Sequence, residues 1–591
     1  DLVRSRGLGD VYKRQLIAAA LLLTSLGITT SCIDNSYDLN KDIDMTVNIG
    51  GEHLAIPVGY TEKITLDKII EIDEGDDLQV LENGEYHLLK SDNIDETNTS
   101  VKLVTVNESE NPINSIEVIS GADYPLKEDV SVSDKESEGE VKTEARGIDN
   151  AVIEIGDLTA SKPTKLTLNF KIETIGISYD DVTIDNMTIT FPDFIQFEEG
   201  QNGLSGQTLT ISDEAIPHGS NFTKDLYITK YVFGNKYGEG NKVQEENGDR
   251  IIRIENQKIT VKTNVTVHQA QGRGSLSISP TATLAAMTVN NVFGTIKPEM
   301  NVKPTDVELT NLPDFLQDDD VQLDIINPIF SFKANNPLQT KIEMDGVMTG
   351  YKNGKVTKSV KIGSGNGGNP IILKPSGEKQ QTISLTRIKT DVAGVTNVVV
   401  PNLNDIIETI PDRITVELEP AVKSNDYYNV GLGQDYILNS SYDIDVPLSF
   451  GSNLRIVYEE TIDDFDLDLE DVDIKKAILS INAVNTIPLA MEIKNENVSA
   501  LDANGNVIED IDVTVEGTIT ESKDGKTEVS STLSINLNAT AEGAISKLDG
   551  LKLKVTAVPG QATDVQLLSS QWMQLKDMKL KIPNGIKVDL N

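Results

Sequence analysis

The sequence predicts a mostly β protein built of tandem antiparallel β-sandwich modules of the immunoglobulin-like kind. Three observations carry that prediction. Thr, Val, Ile, Asp and Asn are common while Ala-Leu-Glu-Lys runs are scarce, a balance that favours strands and turns over helices. Asn-Gly and Asp-Gly pairs separate apolar runs, as hairpins require. Short strand-and-turn patterns recur along the chain. With 591 residues, 38% of them hydrophobic, the chain can bury several cores.

Taken in order, residues 1–15 (DLVRSRGLGDVYKRQ) lack a starting Met and resemble translated sequencing-adaptor read-through, so they are set aside from fold reasoning. An apolar run follows from Leu16 to Ile28, preceded by Lys13 and Arg14 and followed by Thr29, Thr30 and Ser31. A basic start, a short apolar stretch and small residues describe a secretory signal. The run is too short for a bilayer, which takes about 20 apolar residues. The chain's one cysteine, Cys32, comes next, and it rules out an internal disulfide or a Cys-based zinc site. Its position resembles a bacterial lipobox, in which the Cys is acylated and becomes the new N-terminus, although Thr29 stands where Leu is usual.

Beyond Cys32, Ile43, Met45, Val47 and Ile49 alternate at the period of a half-buried strand. Type I′ hairpin turns are expected at Asn83-Gly84, Asn353-Gly354, Asn504-Gly505 and Asp524-Gly525. Short helices are expected around Leu66–Ile72 and Leu403–Thr409. Residues 107–148 are polar and acidic and read as a linker or long loop. The Gly- and Pro-rich stretch 362–381 reads as a loop or domain edge.

Repeats suggest duplication. One pattern is an acidic residue opening a strand that ends at a Pro turn: DNMTITFPDFI from Asp185, DVELTNLPDFL from Asp306, DIIETIPDRI from Asp405 and DMKLKIPNGI from Asp577. A second joins FSFKANNPLQTKIEM around Pro337 to LSINAVNTIPLAMEI around Pro488, each followed at equal spacing by an Asn-Gly turn. A third links the stretches around Tyr37 and Tyr442. The resulting division is a signal peptide over 1–31, an N-terminal β domain with its acidic linker over 32–150, β-sandwich modules over 151–295 and 296–420, and a C-terminal β-sandwich module over 421–591.

The chemistry-bearing residues point away from catalysis. The four histidines, His53, His87, His218 and His268, are not at metal-ligand spacing, and no HExxH, nucleophile elbow or Walker loop is present. GSGNGG at 363–368 is followed by Asn369-Pro370 rather than a helix, so it reads as a flexible loop. No catalytic or metal-binding residue is assigned, the ligand-binding residues stay open, and the chain is read as no enzyme. Structural calcium is the one cofactor with any basis, resting on Asp463–Asp473, which reads better as a strand with one wet face. The stretch DANGN at 502–506 reads as a hairpin and Asp318-Asp319-Asp320 as a solvated loop. A balance of 52 basic against 93 acidic residues, net −41 and without a Lys/Arg cluster, excludes nucleic acid as a partner. Saccharide stacking has thin support, since Trp572 is the one Trp and aromatics are 5%.

Cys32, the YDLNKDIDMTVNIGG start and the LPDF-type strands together resemble large β-rich surface lipoproteins of the Bacteroidales. That resemblance implies a lipid anchor at Cys32, an outer-membrane and surface location, and no known reaction. The expected role is non-catalytic: binding, adhesion or architecture, with a glycan or protein as ligand. A glycan-binding accessory of a polysaccharide-uptake system and a fimbrial-type subunit are the alternatives.

Overall fold

A computed structural model describes residues 47–588 apart from 50–54, 71, 74, 234–241, 310–311, 313–315, 317–319, 367, 369, 463–471 and 563–564. Cys32, Tyr37, His53, Pro313 and most of the Asp463–Asp473 stretch lie outside the described residues. What is described is overwhelmingly strand, joined almost everywhere by antiparallel pairing.

The N-terminal third is organised by one strand, Asp249–Leu284. It pairs with Ile116–Ala145 on one side, and with Asp181–Thr190 and then Val152–Ser178 on the other. Val152–Ser178 continues onto Met287–Ile296, which connects through Val104–Val106 to Ile116–Ala145. The ladder therefore closes on itself, which removes free edges that would recruit other chains. Alternating positions such as Val261, Val265 and Val267 are fully buried inside it. Long strands must bend to close, and glycine permits the bend. A Cβ on Gly274 would sit 1.7 Å from the Ile175 carbonyl oxygen, and Gly176 and Gly272 both take positive φ at this corner.

Residues 107–148, expected as an acidic linker, are instead the strands Ser109–Pro112 and Ile116–Ala145. The counter-charges lie on the distant partner strand. Lys258 meets Glu138 at 2.9 Å, Lys262 meets Glu136 at 2.6 Å, and Arg253 bridges Glu144 at 2.6 Å and Glu246 at 2.8 Å. Each exposed pair contributes little alone, but opposite charges facing across a ladder select its register.

The remaining sheets draw strands from both sides of the module boundaries expected from the sequence. Tyr86–Ser100 joins Asp435–Pro447, and Ala55–Gly59 joins Trp572–Lys581. Val47–Ile49 pairs with Ile586–Val588, so the first described strand meets the last. One continuous core runs through the N-terminal and middle regions, and a second, smaller one occupies the C-terminal unit.

The middle and C-terminal units are two copies of one design. In the middle unit the first sheet runs Gln381–Thr386, Ile329–Ala334, Asp435–Pro447, Tyr86–Ser100. Its counterpart runs Val529–Ala539, Lys476–Asn485, Trp572–Lys581, Ala55–Gly59. The second sheets match likewise: Thr305–Glu308, Arg413–Ala421, Ile342–Lys352 against Ile456–Ile462, Gly550–Val558, Ala490–Leu501. The structural key is a pair of fully buried asparagines. Asn336 Oδ1 accepts from the Leu338 N–H, and its Nδ2 donates to the Thr340 and Leu373 carbonyls. Asn485 Oδ1 accepts from the Ile487 N–H, and its Nδ2 donates to the Leu489 and Thr520 carbonyls. Superimposing these two without gaps matches Asp324 with Asp473, Ile325 with Ile474, Ser331 with Ser480 and Ala334 with Ala483. This frame is two residues out of step with the one drawn on Pro337 and Pro488, because the buried amide, not the proline, holds the turn.

Other local expectations meet mixed outcomes. Helical turns occur at Leu66–Ile69 and Leu403–Ile406. Asn353 and Gly354 both take positive φ in a two-residue hairpin, as type I′ demands. At Asn83-Gly84, Asn504-Gly505 and Asp524-Gly525 only the glycine does, because side chains close those turns: Asn83 Oδ1 accepts from Glu85 N, and Asp524 Oδ1 from Lys526 N and Thr527 N. DIIETIPDRI is no strand; its start is the 3₁₀ turn Leu403–Ile406.

Asn485→Ala and Asn336→Ala would each strand buried backbone groups, at about 1–3 kcal/mol per group left unpaired. Either variant should lower the urea midpoint clearly, while Asn504→Ala in an exposed turn should stay within about 0.5 kcal/mol of the parent.

Candidate functional site

The middle unit carries a polar cleft of about 260 Å³. Its base is Asp324, 8% exposed, just before the Ile329–Ala334 strand. Asp324 Oδ1 accepts from Arg387 Nη1 at 3.3 Å, and Oδ2 from the Asn453 N–H at 3.1 Å. Arg387 Nη1 also donates to the Ile325 carbonyl, which fixes the guanidinium against the wall. Gly451 is required beside this carboxylate, since a Cβ there would lie 2.4 Å from Asp324 Oδ2.

The opposite wall is the 3₁₀ turn Leu403–Ile406 together with Glu408 just beyond it. Leu403 and Ile406 are fully buried and anchor the turn, which leaves the half-buried Asn404 and Asp405 on the cleft. Their side chains make no hydrogen bond among the described residues. Glu408, by contrast, is engaged: Oε1 accepts from Gln322 Nε2 at 2.6 Å, and Oε2 lies 3.7 Å from Lys358 Nζ. The cleft thus holds satisfied charges at its base and an unengaged amide and carboxylate at its lip. Such a lining suits hydrogen bonding to a polar ligand and gives an apolar one little to bury against.

The residues singled out from sequence lie elsewhere and are not brought together. His87 is buried between Asp445 and Glu85. His218 packs edge-on to Tyr179 at 4.5 Å, and His268 Nδ1 lies 3.1 Å from Asp129. Among the described residues no group of three His, Cys, Asp or Glu is placed to hold a metal ion. Asp502 closes its own turn by accepting from the Asn504 and Asn506 N–H groups, and Asp320 meets Lys554 at 2.7 Å. Val472–Asp473 is strand, and the rest of the acidic run before it is not among the described residues. Trp572 is half-buried with Lys63 Nζ 3.5 Å above its ring, so that face is covered.

The Gly-rich stretch is a 3₁₀ turn at Gly363–Asn366 whose first amides already serve Asp345. Ser364 N donates to Asp345 Oδ1 at 2.8 Å, and Lys423 Nζ holds Oδ2 at 2.8 Å. The hydrogen bonds from Lys423 and then Ser364 hold the Asp345 carboxyl down at about 2.

No protein-family model and no curated protein matches the sequence. Among solved structures, a candidate secreted protein from Parabacteroides distasonis ATCC 8503 aligns over 50% of this chain and 82% of its own, at 15% identity and a TM-score of 0.35. The VP2 subviral particle of infectious bursal disease virus covers 81% of this chain and 82% of its own, at 8% identity and a TM-score of 0.14. PNGF-II covers 57% and 66%, at 10% identity and 0.13.

Two outcomes test this arrangement. Asp324→Ala removes the acceptor of Arg387 and of the Asn453 N–H, so it should cost about 1–3 kcal/mol, against less than about 0.5 for Asn404→Ala or Asp405→Ala. The folded-state value of Asp345 lies below the unfolded one, so its ionised form stabilises the fold above about pH 4, and that contribution is lost as pH falls toward 2. Urea midpoints measured from pH 5 downward should therefore fall less steeply for Asp345→Asn than for the parent.

Proposed function

We propose that the chain is a non-catalytic lipoprotein of the bacterial outer membrane, acylated at Cys32, displayed at the cell surface and acting in binding, adhesion or architecture. The observation that carries the reading is the placement of the chain's one cysteine directly after a short apolar run and three small residues. The fold supports it in two ways. The first described strand, Val47–Ile49, follows Cys32 closely in sequence and pairs with Ile586–Val588, so an anchor at Cys32 would lie near in sequence to a strand of the C-terminal unit. The acidic, strand-built body matches the large β-rich Bacteroidales lipoproteins that the N-terminal stretch resembles.

The non-catalytic part of the proposal draws on what the histidines do. His87 and His268 are committed to carboxylates within strand ladders, and His218 packs on an aromatic ring. A glycan-binding role is favoured as a second reading by the polar cleft. A fimbrial role would call for a sheet edge awaiting a neighbour's strand. The edge beside Trp572–Lys581 is occupied by the chain's own Ala55–Gly59.

Cells expressing the protein with its native signal should incorporate labelled palmitate, Cys32→Ala cells should not, and protease added to intact cells should degrade the labelled protein. Absence of label from the parent would refute the anchor, and full protection from protease would refute surface display.

A further inference from the structure

We infer that the cleft between Asp324 and the Leu403–Ile406 turn is a binding site for a neutral, hydroxyl-rich ligand of the size of a saccharide unit. The inference deepens the binding role proposed above and rests on it.

The two copies of the module separate scaffold from specialisation. Asp324 is matched by Asp473, and the 3₁₀ turn at Leu403–Ile406 by the one at Ile545–Lys547, which likewise precedes a strand of the second sheet. Those features are therefore architectural. The polar groups around the cleft are not shared. Ile329 pairs with Thr386 and Ile478 with Asn536, so Arg387 corresponds to Leu537, a core residue 1% exposed. Aligning the buried residues Leu403 and Ile406 on Ile545 and Leu548 places Lys547 where the middle unit has Asp405. One copy has thus filled this position with apolar packing and a reversed charge, and the other has opened it into a polar cavity.

Charge and bonding then select the ligand. Asp324 neutralises Arg387, and Gln322 and Lys358 engage Glu408, so the groups left to recognise a ligand include the Asn404 amide and the Asp405 carboxylate, with the exposed Asn453 side chain beside them. An amide both donates and accepts, and a carboxylate accepts, which is the complement of adjacent hydroxyls. Anionic ligands are disfavoured by the Asp405 carboxylate, which no cation offsets among the described residues. A bare cation would want six or more oxygens, and the described residues hold no metal-ligand group. At about 260 Å³ the cavity lies just below the usual range for ligand pockets of roughly 300–1,000 Å³, which suits a single ring rather than a long chain segment. Among the described residues its lining has no aromatic ring, which leaves recognition to hydrogen bonds.

The test is calorimetric titration of the intact protein with neutral manno-, gluco- and galacto-oligosaccharides and, as the anionic counterpart, oligogalacturonate. At least one neutral sugar should bind saturably and oligogalacturonate should not. Asp405→Ala and Asn404→Ala should each weaken binding by about tenfold, as loss of one hydrogen bond to a charged or amide group implies. Asn404→Trp, which fills the cleft from its lip, should abolish binding. Both side chains stand at a half-buried, unengaged lip, and an unchanged unfolding midpoint would show that the fold is intact. Absence of binding by every neutral sugar, equal binding of the anion, or unaltered binding by the three variants would overturn the site. Palmitate labelling of Cys32 is independent of these results, so failure of the cleft and failure of the anchor are told apart.

Discussion

The structure depends first on one long antiparallel ladder along Asp249–Leu284, bent by bulges where its register shifts. The long strands between Ile116 and Ile296 pair with this strand or with one of its partners, and the ring closes only because its ladder continues past the glycine corner at Gly176, Gly272 and Gly274. A side chain at that corner would meet a backbone oxygen, which cannot move aside without breaking the pairing on both flanks. Hydrophobic burial within the ring follows from this constraint rather than causing it. Between its bulges the register must hold for alternate residues to face one core, since a slip of one residue turns every side chain to the opposite face.

The same logic explains why charge, usually a weak contributor, matters here. The Ile116–Ala145 strand has a composition that cannot bury much, and in isolation it would stay disordered. It is ordered by its ladder and its few buried residues against Asp249–Leu284, a strand more than a hundred residues later from which Lys258, Lys262 and Arg253 help select the register. Its exposed carboxylates at the same time discourage pairing with other molecules. Register and solubility are served by one set of side chains.

What was legible in the sequence was local. The β class, the turn at Asn353-Gly354 and the helical turns at Leu66 and Leu403 depend on neighbours within a few residues, and each is written in the residues that form it. The acidic strand was not legible, because its partners are remote. The duplication was legible as a resemblance but in the wrong frame: prolines catch the eye, while Asn336 and Asn485, two ordinary residues, carry the buried hydrogen bonds. The cleft was not legible at all. Asp324, Arg387, Asp405 and Asn453 come from separate segments, and only the packing of one sheet on the other brings them to a common cavity.

The pairing of Val47–Ile49 with Ile586–Val588, and of Ala55–Gly59 with Trp572–Lys581, has a consequence for biogenesis. The C-terminal unit takes edge strands from residues 47–59 and pairs them with residues 572–588, which are made much later. Val47–Ile49 and Ala55–Gly59 lack these partners until residues 572–588 have been made. The unit can form only once that stretch is present, and a chain stopped before it presents unsatisfied strands to proteases and chaperones. The topology therefore couples the ordering of the earliest described strands to the synthesis of the last ones.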